Sequence, residues 1–142
     1  MEFALVLPLL VLLLFGMLDF GKAYNYWNDA THLTAEGARF AAVNRKPAPA
    51  NAASLQQQLL NQADTAELKN GGTAAVAAPA QVCIEFPSGT SNFGEPVLVK
   101  MTFTYSFIPF IGNRVGFLTR TISSTSVMRL EAPATNYSAG CT

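Results

Sequence analysis

One histidine, the carboxylates Asp19, Asp29 and Glu36 and two cysteines are the residues of this chain best equipped for chemistry. His32 stands alone, with no second imidazole and no neighbouring cysteine, so it cannot complete the usual four-ligand metal site. A ring packed on another element, or simply solvated, is the expectation. Asp19, Asp29 and Glu36 are spaced too widely for an obvious paired acid and base. The G-x-S-x-G, H-E-x-x-H, C-x-x-C and phosphate-loop patterns are all missing from the sequence. The expectation is therefore a protein that is not an enzyme and carries no cofactor and no metal. Cys83 and Cys141 remain. Cys141 is next to the end of the chain, where a segment frays unless tied. A disulfide would pin that tail to a strand and contribute roughly 4 kcal/mol on the chain-entropy model. It would also place the domain in an oxidising compartment. The alternative is two inert thiols. Asn136-Tyr137-Ser138 matches a glycosylation sequon, a match common by chance.

Composition narrows the partners. Half of the 142 residues are apolar, 13% are charged, and nine basic residues balance nine acidic ones. That balance speaks against nucleic acid or a polybasic lipid contact, which call for a basic excess. So few charges with so many aromatics also exclude a disordered chain. Two cysteines are too few for a disulfide-framework miniprotein.

The apolar residues are unevenly spread. Phe3 to Leu18, FALVLPLLVLLLFGML, is sixteen residues without a charge. As a helix the run would be about 24 Å long, slightly short of a bilayer core. Asp19 and Lys22 end it, and Tyr24, Tyr26 and Trp27 follow as residues suited to a membrane–water interface. A cleaved secretory signal would need a basic leading region and a small-residue cleavage site. Instead Glu2 precedes the run, and no A-x-A site follows Leu18. A buried core helix is a poor fit, because leucines cover every face. The favoured reading is a retained helix in a membrane or in the core of a filament. Glu2 is then expected at the headgroup level, favoured by the helix dipole; pairing with a neighbour's cation is the functional alternative.

No proline occurs between Leu18 and Pro47, and Phe20, Tyr24, Trp27, Thr31, Ala35, Ala38 and Ala42 recur at helical spacing. One helix is expected over 2–43, apolar all round at first and amphipathic afterwards. Small residues in its second half allow close approach to another element. Asp19 with Lys22, and Glu36 with Arg39, are opposite charges three apart, worth a few tenths of a kcal/mol each. Pro8 should kink the helix unless the first turn is frayed.

Arg45 to Pro49 reads as a linker. Ser54 to Gln57 is a possible capping box, and Leu55, Leu59, Leu60 and Ala63 form a stripe, so a second helix is expected over 51–67, stopped by Asn70-Gly71-Gly72. Strands follow. Val82, Ile84 and Phe86 alternate with polar positions. Val97, Val99, Met101, Phe103, Tyr105 and Phe107 share one face of a longer strand, and Arg120 to Leu130 alternates again. Three antiparallel strands in chain order make a meander, and the second half of the long helix is the available cover. Between the last two strands, Ile108 to Leu118 is apolar for a loop. It reads as a short helix or hairpin cap closing the sheet, or alternatively as a contact surface for a partner subunit.

These residues carry a resemblance. Glu2-Phe3-Ala4-Leu5-Val6-Leu7-Pro8, the leucine run, Asp19-Phe20-Gly21-Lys22-Ala23 and Ala35-Glu36-Gly37-Ala38-Arg39-Phe40-Ala41-Ala42 look like the TadE-like pilin family, relatives of type IV pilins. The likeness is closest over 2–43 and extends to 95–131. It implies an α+β, type IV pilin-like fold: a long N-terminal helix on a small antiparallel meander of three or more strands. Residues 1–27 would be a membrane anchor before assembly and a filament core after it; residues 28–142 would form the globular domain. Family members are cut by a prepilin peptidase on the cytoplasmic side, which leaves the helix attached. Glu2 matches the family's glutamate, usually fifth after the cut and here second in the chain.

The expected function is a structural pilin subunit, a homo-oligomer in an extracellular Tad-like pilus filament. Before assembly it would sit in the inner membrane with its domain facing outward, served by the pilus assembly machinery. Glu2, Phe3, Leu5, Leu7, Leu10, Leu14, Phe15, Phe20, Tyr24 and Trp27 are the candidate assembly residues. The rival is a minor pilin or membrane-anchored assembly factor, which the size of the domain favours. A signal-anchored binding domain outside any pilus is the third class.

Overall fold

A computed structural model describes residues 2–47, 54–108 and 118–142, apart from the side chains of Glu2, Ala4 and Leu5. The first element, α1, runs Glu2–Ala42, 41 residues, with Pro8 inside it. At 1.5 Å per residue that is about 62 Å, roughly twice a bilayer core. Its end is fixed locally. Asn44 takes a left-handed conformation (φ 50), Asn44 N donates to the Ala41 carbonyl, and Arg45 N donates to the Phe40 carbonyl. Those two bonds satisfy carbonyls that would otherwise be left over at a helix end. Arg45 also lies 4.8 Å over the Phe40 ring.

The expected second helix is two. α2 covers Leu55–Asn61 and α3 covers Ala66–Asn70. Ser54 caps α2 by accepting from Gln57 N, but the Gln57 side chain donates to Asn61 rather than back to the cap. The break falls at Asp64 and Thr65. Thr65 N and Thr65 Oγ1 both donate to the Asp29 carboxylate, at 3.0 and 2.8 Å, so a side chain of α1 takes donors that a continuous helix would have used. Short polar residues favour such caps over helix interiors. Gly71 (φ 62) ends α3, and a Cβ there would meet backbone at 2.5 Å. The expected start of the second helix at 51, and the Ala48 and Pro49 part of the linker, lie outside the described residues.

The sheet has four strands in the order β3-β2-β1-β4, with β1 Gln81–Glu85, β2 Pro96–Ser106, β3 Thr119–Arg129 and β4 Gly140–Cys141. All pairs are antiparallel, Pro96 facing Arg129 at one end and Ser106 facing Thr119 at the other. The period of two holds. Val97, Val99, Met101, Phe103 and Tyr105 are buried, with Val82 and Ile84 beside them. Side chains of this size stabilise by about 1.5–3 kcal/mol each when fully buried. The fourth strand is an addition to the meander. Cys83 and Cys141 face each other across β1 and β4 and form the disulfide. Cys83 is therefore buried on the face where alternation alone would expose it.

The cover is the second half of α1. Ala23, Tyr26, Ala30, Leu33, Ala38 and Ala41 are buried against the sheet and α2. Gly37 makes the closest approach: a Cβ there would lie 2.5 Å from Leu59 Cδ1 and 3.2 Å from a Val99 methyl. Thr34 Oγ1 meets Ser124 Oγ at 3.0 Å, pairing the two polar side chains buried between helix and β3.

Candidate assembly surface

The packed half of α1 ends near Asp19, and below it the helix is left uncovered by the described residues. Phe3, Leu7, Leu10, Leu14, Phe15 and Phe20 are all exposed, Phe3 at 77%. Successive leucines point in every direction around a 3.6-residue turn, so no single sheet could cover them. Val6–Ala42 is long and apolar enough to cross a membrane by length and composition. Tyr24 and Trp27 are exposed just above, their rings 5.8 Å apart, Trp27 at 42%. The side chains of Glu2 and Leu5 lie outside the described residues. So eight of the ten expected assembly residues are exposed: five on the rod below Asp19, and Phe20, Tyr24 and Trp27 on the outer face of the packed half.

Tyr26 turns the other way. Its ring packs on Phe103 and Tyr105 at 6.4 and 5.7 Å. Between rod and domain stands Asp19. Its Oδ1 accepts from Tyr105 Oη at 2.5 Å, and its Oδ2 accepts from Ile108 N at 2.6 Å. Expected as an ion-pair partner for Lys22, Asp19 instead ties the end of the apolar run to the end of β2. Hydrogen bonds to a charged acceptor are about twice as strong as neutral ones. Burial, then the bond to Asp19 and its charge, pushes the Tyr105 hydroxyl well above the usual phenol range. The signal for this lock was present in the sequence only as a carboxylate bordering an apolar run and a tyrosine on the apolar face of a strand.

Beside the lock is an open cleft of about 940 Å³, with walls that include Phe15, Leu18, Lys22, Tyr26, Glu67 and Ile108. It is mostly apolar and lies where the rod meets the domain. The apolar Ile108–Leu118 segment begins at its wall, but 109–117 lies outside the described residues.

Asp29 caps the α2–α3 break, and His32 is exposed on α1. Among the described residues no three His, Cys, Asp or Glu side chains gather to hold a metal ion. The tail after β3 closes the far end of α1: Glu131 N donates to the Ala42 carbonyl and Tyr137 Oη donates to the Ala41 carbonyl at 2.8 Å. Burial pushes the Tyr137 hydroxyl up to about 12. The sequon residue Asn136 is engaged too, its side-chain amide donating to the Asn44 carbonyl at 2.7 Å. Gln56, buried on α2, donates to the carbonyls of Ser138 and Gly140. These tail contacts and the disulfide are one continuous fastening.

Residues 1–39 match the family model of TadE-like proteins. The match covers the rod, Asp19 and most of the packed half of α1, and none of the sheet. Neither the curated proteins nor the solved structures offer a match to the chain.

Proposed function

We propose that the chain is a structural pilin subunit that polymerises through residues 2–27 into an extracellular Tad-like pilus filament. One observation carries this reading: a single helix has an upper half packed on its own sheet and a lower half exposed and apolar on every side. An apolar rod of this kind is stable in two settings, lipid or a bundle of its own copies. Bundling trades lipid contacts for close side-chain packing, which adds dispersion attraction. The membrane would hold the subunit before assembly and the filament core would hold it afterwards. A prepilin peptidase and the pilus assembly machinery are the partners this entails. The role is mechanical, with no catalysis, cofactor or nucleic acid.

The disulfide-fastened domain favours a second reading, a minor pilin or membrane-anchored assembly factor that primes or tips a filament made of another protein. The two separate by shearing filaments from cells, imaging them in negative stain and identifying the released chains by mass spectrometry. Filaments composed mainly of this chain support the subunit. Retention of this chain in membranes, with filaments made of another pilin, replaces it by the minor pilin.

A further inference from the structure

The charge-free run of α1, Phe3 to Leu18, lies between Glu2 and Asp19. It spans about 24 Å, about 6 Å less than a bilayer core. About four more residues close that gap, Asp19 to Lys22. Phe20 is exposed on the outer side of the helix, and Gly21 brings no polar side chain. Lys22 can bury its stem in hydrocarbon and lift its ammonium to the headgroups. Asp19 is the obstacle, because a bare carboxylate is costly in hydrocarbon.

The lock removes that obstacle. Each oxygen of the Asp19 carboxylate accepts from a donor of the domain, Oδ1 from Tyr105 Oη and Oδ2 from Ile108 N. Charge-assisted hydrogen bonds of this kind are what a carboxylate removed from water requires. The donors come with an apolar foot. Tyr26 packs on Phe103 and Tyr105, while Asp19, about two turns lower, meets Ile108. The part of the described domain that reaches below Lys22 is therefore the end of the β2–β3 pair: Phe107, Ile108 and Leu118, with Phe107 N donating to the Leu118 carbonyl. All three are apolar and half-buried. Just above them the Ser106 and Thr119 hydroxyls bond each other at 3.2 Å. Arg120, exposed, is the first charge of the sheet from this end, and Glu67 lies higher, beside Tyr26. On α1, Tyr24 and Trp27 stand out on the same side as Phe20, one and two turns above it. That is the level where a bilayer favours amphipathic aromatics.

We infer that, while the subunit is held in the membrane, the outer edge of the hydrocarbon lies at Lys22, and the foot of the domain is seated in the lipid. Phe107, Ile108 and Leu118 meet acyl chains there, and the Asp19 lock lies beneath the headgroups. The inference rests on the membrane stage of the proposed function and gives the lock a purpose. It carries the root of the helix into lipid without a bare charge. It also sets the height of the domain above the membrane, because Ile108 is bonded to the residue next to Phe20 and follows the helix down.

The test uses the full chain in phospholipid vesicles, with Met17→Cys, Phe20→Cys or Asn28→Cys introduced one at a time. All three positions are exposed on one side of α1, and the native cysteines are joined. A membrane-impermeant maleimide is added outside. In bilayers with a core of about 30 Å, Phe20→Cys should react as slowly as Met17→Cys. Its rate should be about tenfold below that of Asn28→Cys, because hydrocarbon excludes the probe and disfavours the thiolate. In shorter-chain lipids with a core of about 24 Å, which residues 3–18 span alone, Phe20→Cys should become reactive while Met17→Cys stays protected. Fast reaction of Phe20→Cys in the thicker bilayer puts the boundary at Leu18. That result overturns the inference and leaves the membrane-held subunit intact. Protection of Phe20→Cys in both bilayers assigns the shielding to the chain's own fold and overturns it as well. If the chain does not float with the vesicles, the membrane stage of the proposed function falls with the inference.

Discussion

The lower and upper halves of α1 solve the same problem in opposite ways. Both must bury apolar surface. Residues 3–18 carry large side chains on all sides and find no cover among the described residues. Residues 23–41 confine burial to one stripe, built mainly of alanines and a glycine, against which β2, β3 and α2 close in. Large side chains keep a helix at arm's length and suit a bundle of equals. Small ones let a sheet come near enough to interlock. The change from leucine to alanine along one helix therefore marks where packing against the chain's own sheet begins.

Breaking the upper half alone should have the largest effect. Cys83→Ser with Cys141→Ser removes the tie that closes 58 positions of chain and should cost roughly 4 kcal/mol. The urea midpoint of the globular domain would fall, while membrane association of the rod stays unchanged. Breaking the lower half alone is the converse. Leu10→Arg places a charge where the helix expects hydrocarbon, at about 2.5–3.5 kcal/mol near a bilayer centre. Membrane fractionation should show the chain lost from the bilayer, with its disulfide and domain fold intact. Asp19→Ala acts at the border. It leaves Ile108 N without its acceptor and Tyr105 Oη with only the residue-19 carbonyl at 3.3 Å, and should cost about 2 kcal/mol, read as a lower urea midpoint and faster proteolysis at the helix root.

Gly37→Val tests how close the upper half sits. The helix gains some propensity, but the new side chain collides with Leu59 and Val99. A net loss of about 1–2 kcal/mol is expected by thermal melting. Gly21→Val, where a Cβ meets nothing within 4 Å, should be nearly neutral. The smallest effect concerns pH. The Tyr137 hydroxyl is raised to about 12 when folded, against about 10 when unfolded. The unfolded chain therefore loses this proton first. The contribution is whole below pH 10 and fades as pH climbs from 10 to 12. Tyr105, also raised by burial, erodes in the same direction. Tyr137→Phe should flatten part of the alkaline fall in urea midpoint, and an unchanged slope would argue against the burial effect.

Much of the architecture was legible from the order of residues. The helix expected over 2–43 runs Glu2–Ala42, and the strand faces fall as their alternation requires. The stripe from Leu55 to Ala63 does lie on a helix, but a single helix to 67 was wrong, because Asp29 draws the Thr65 donors away. Asp19 was read as a neighbour of Lys22 and is instead the partner of a tyrosine 86 positions away. The tail gave no sign of a fourth strand, since two residues are too few to show a period.

The division has a physical cause. Periodicity, propensity and the run of apolar residues act over a few neighbouring positions, so the sequence by itself determined one helix, its two unlike halves and a two-faced sheet. Which carboxylate meets which hydroxyl depends on how far the helix slides along the strands before side chains interlock. Gly37 against Leu59 and the disulfide at the β1 edge help set that stagger. Only the tertiary structure decided it, and with it the lock at Asp19 and the cleft beside it.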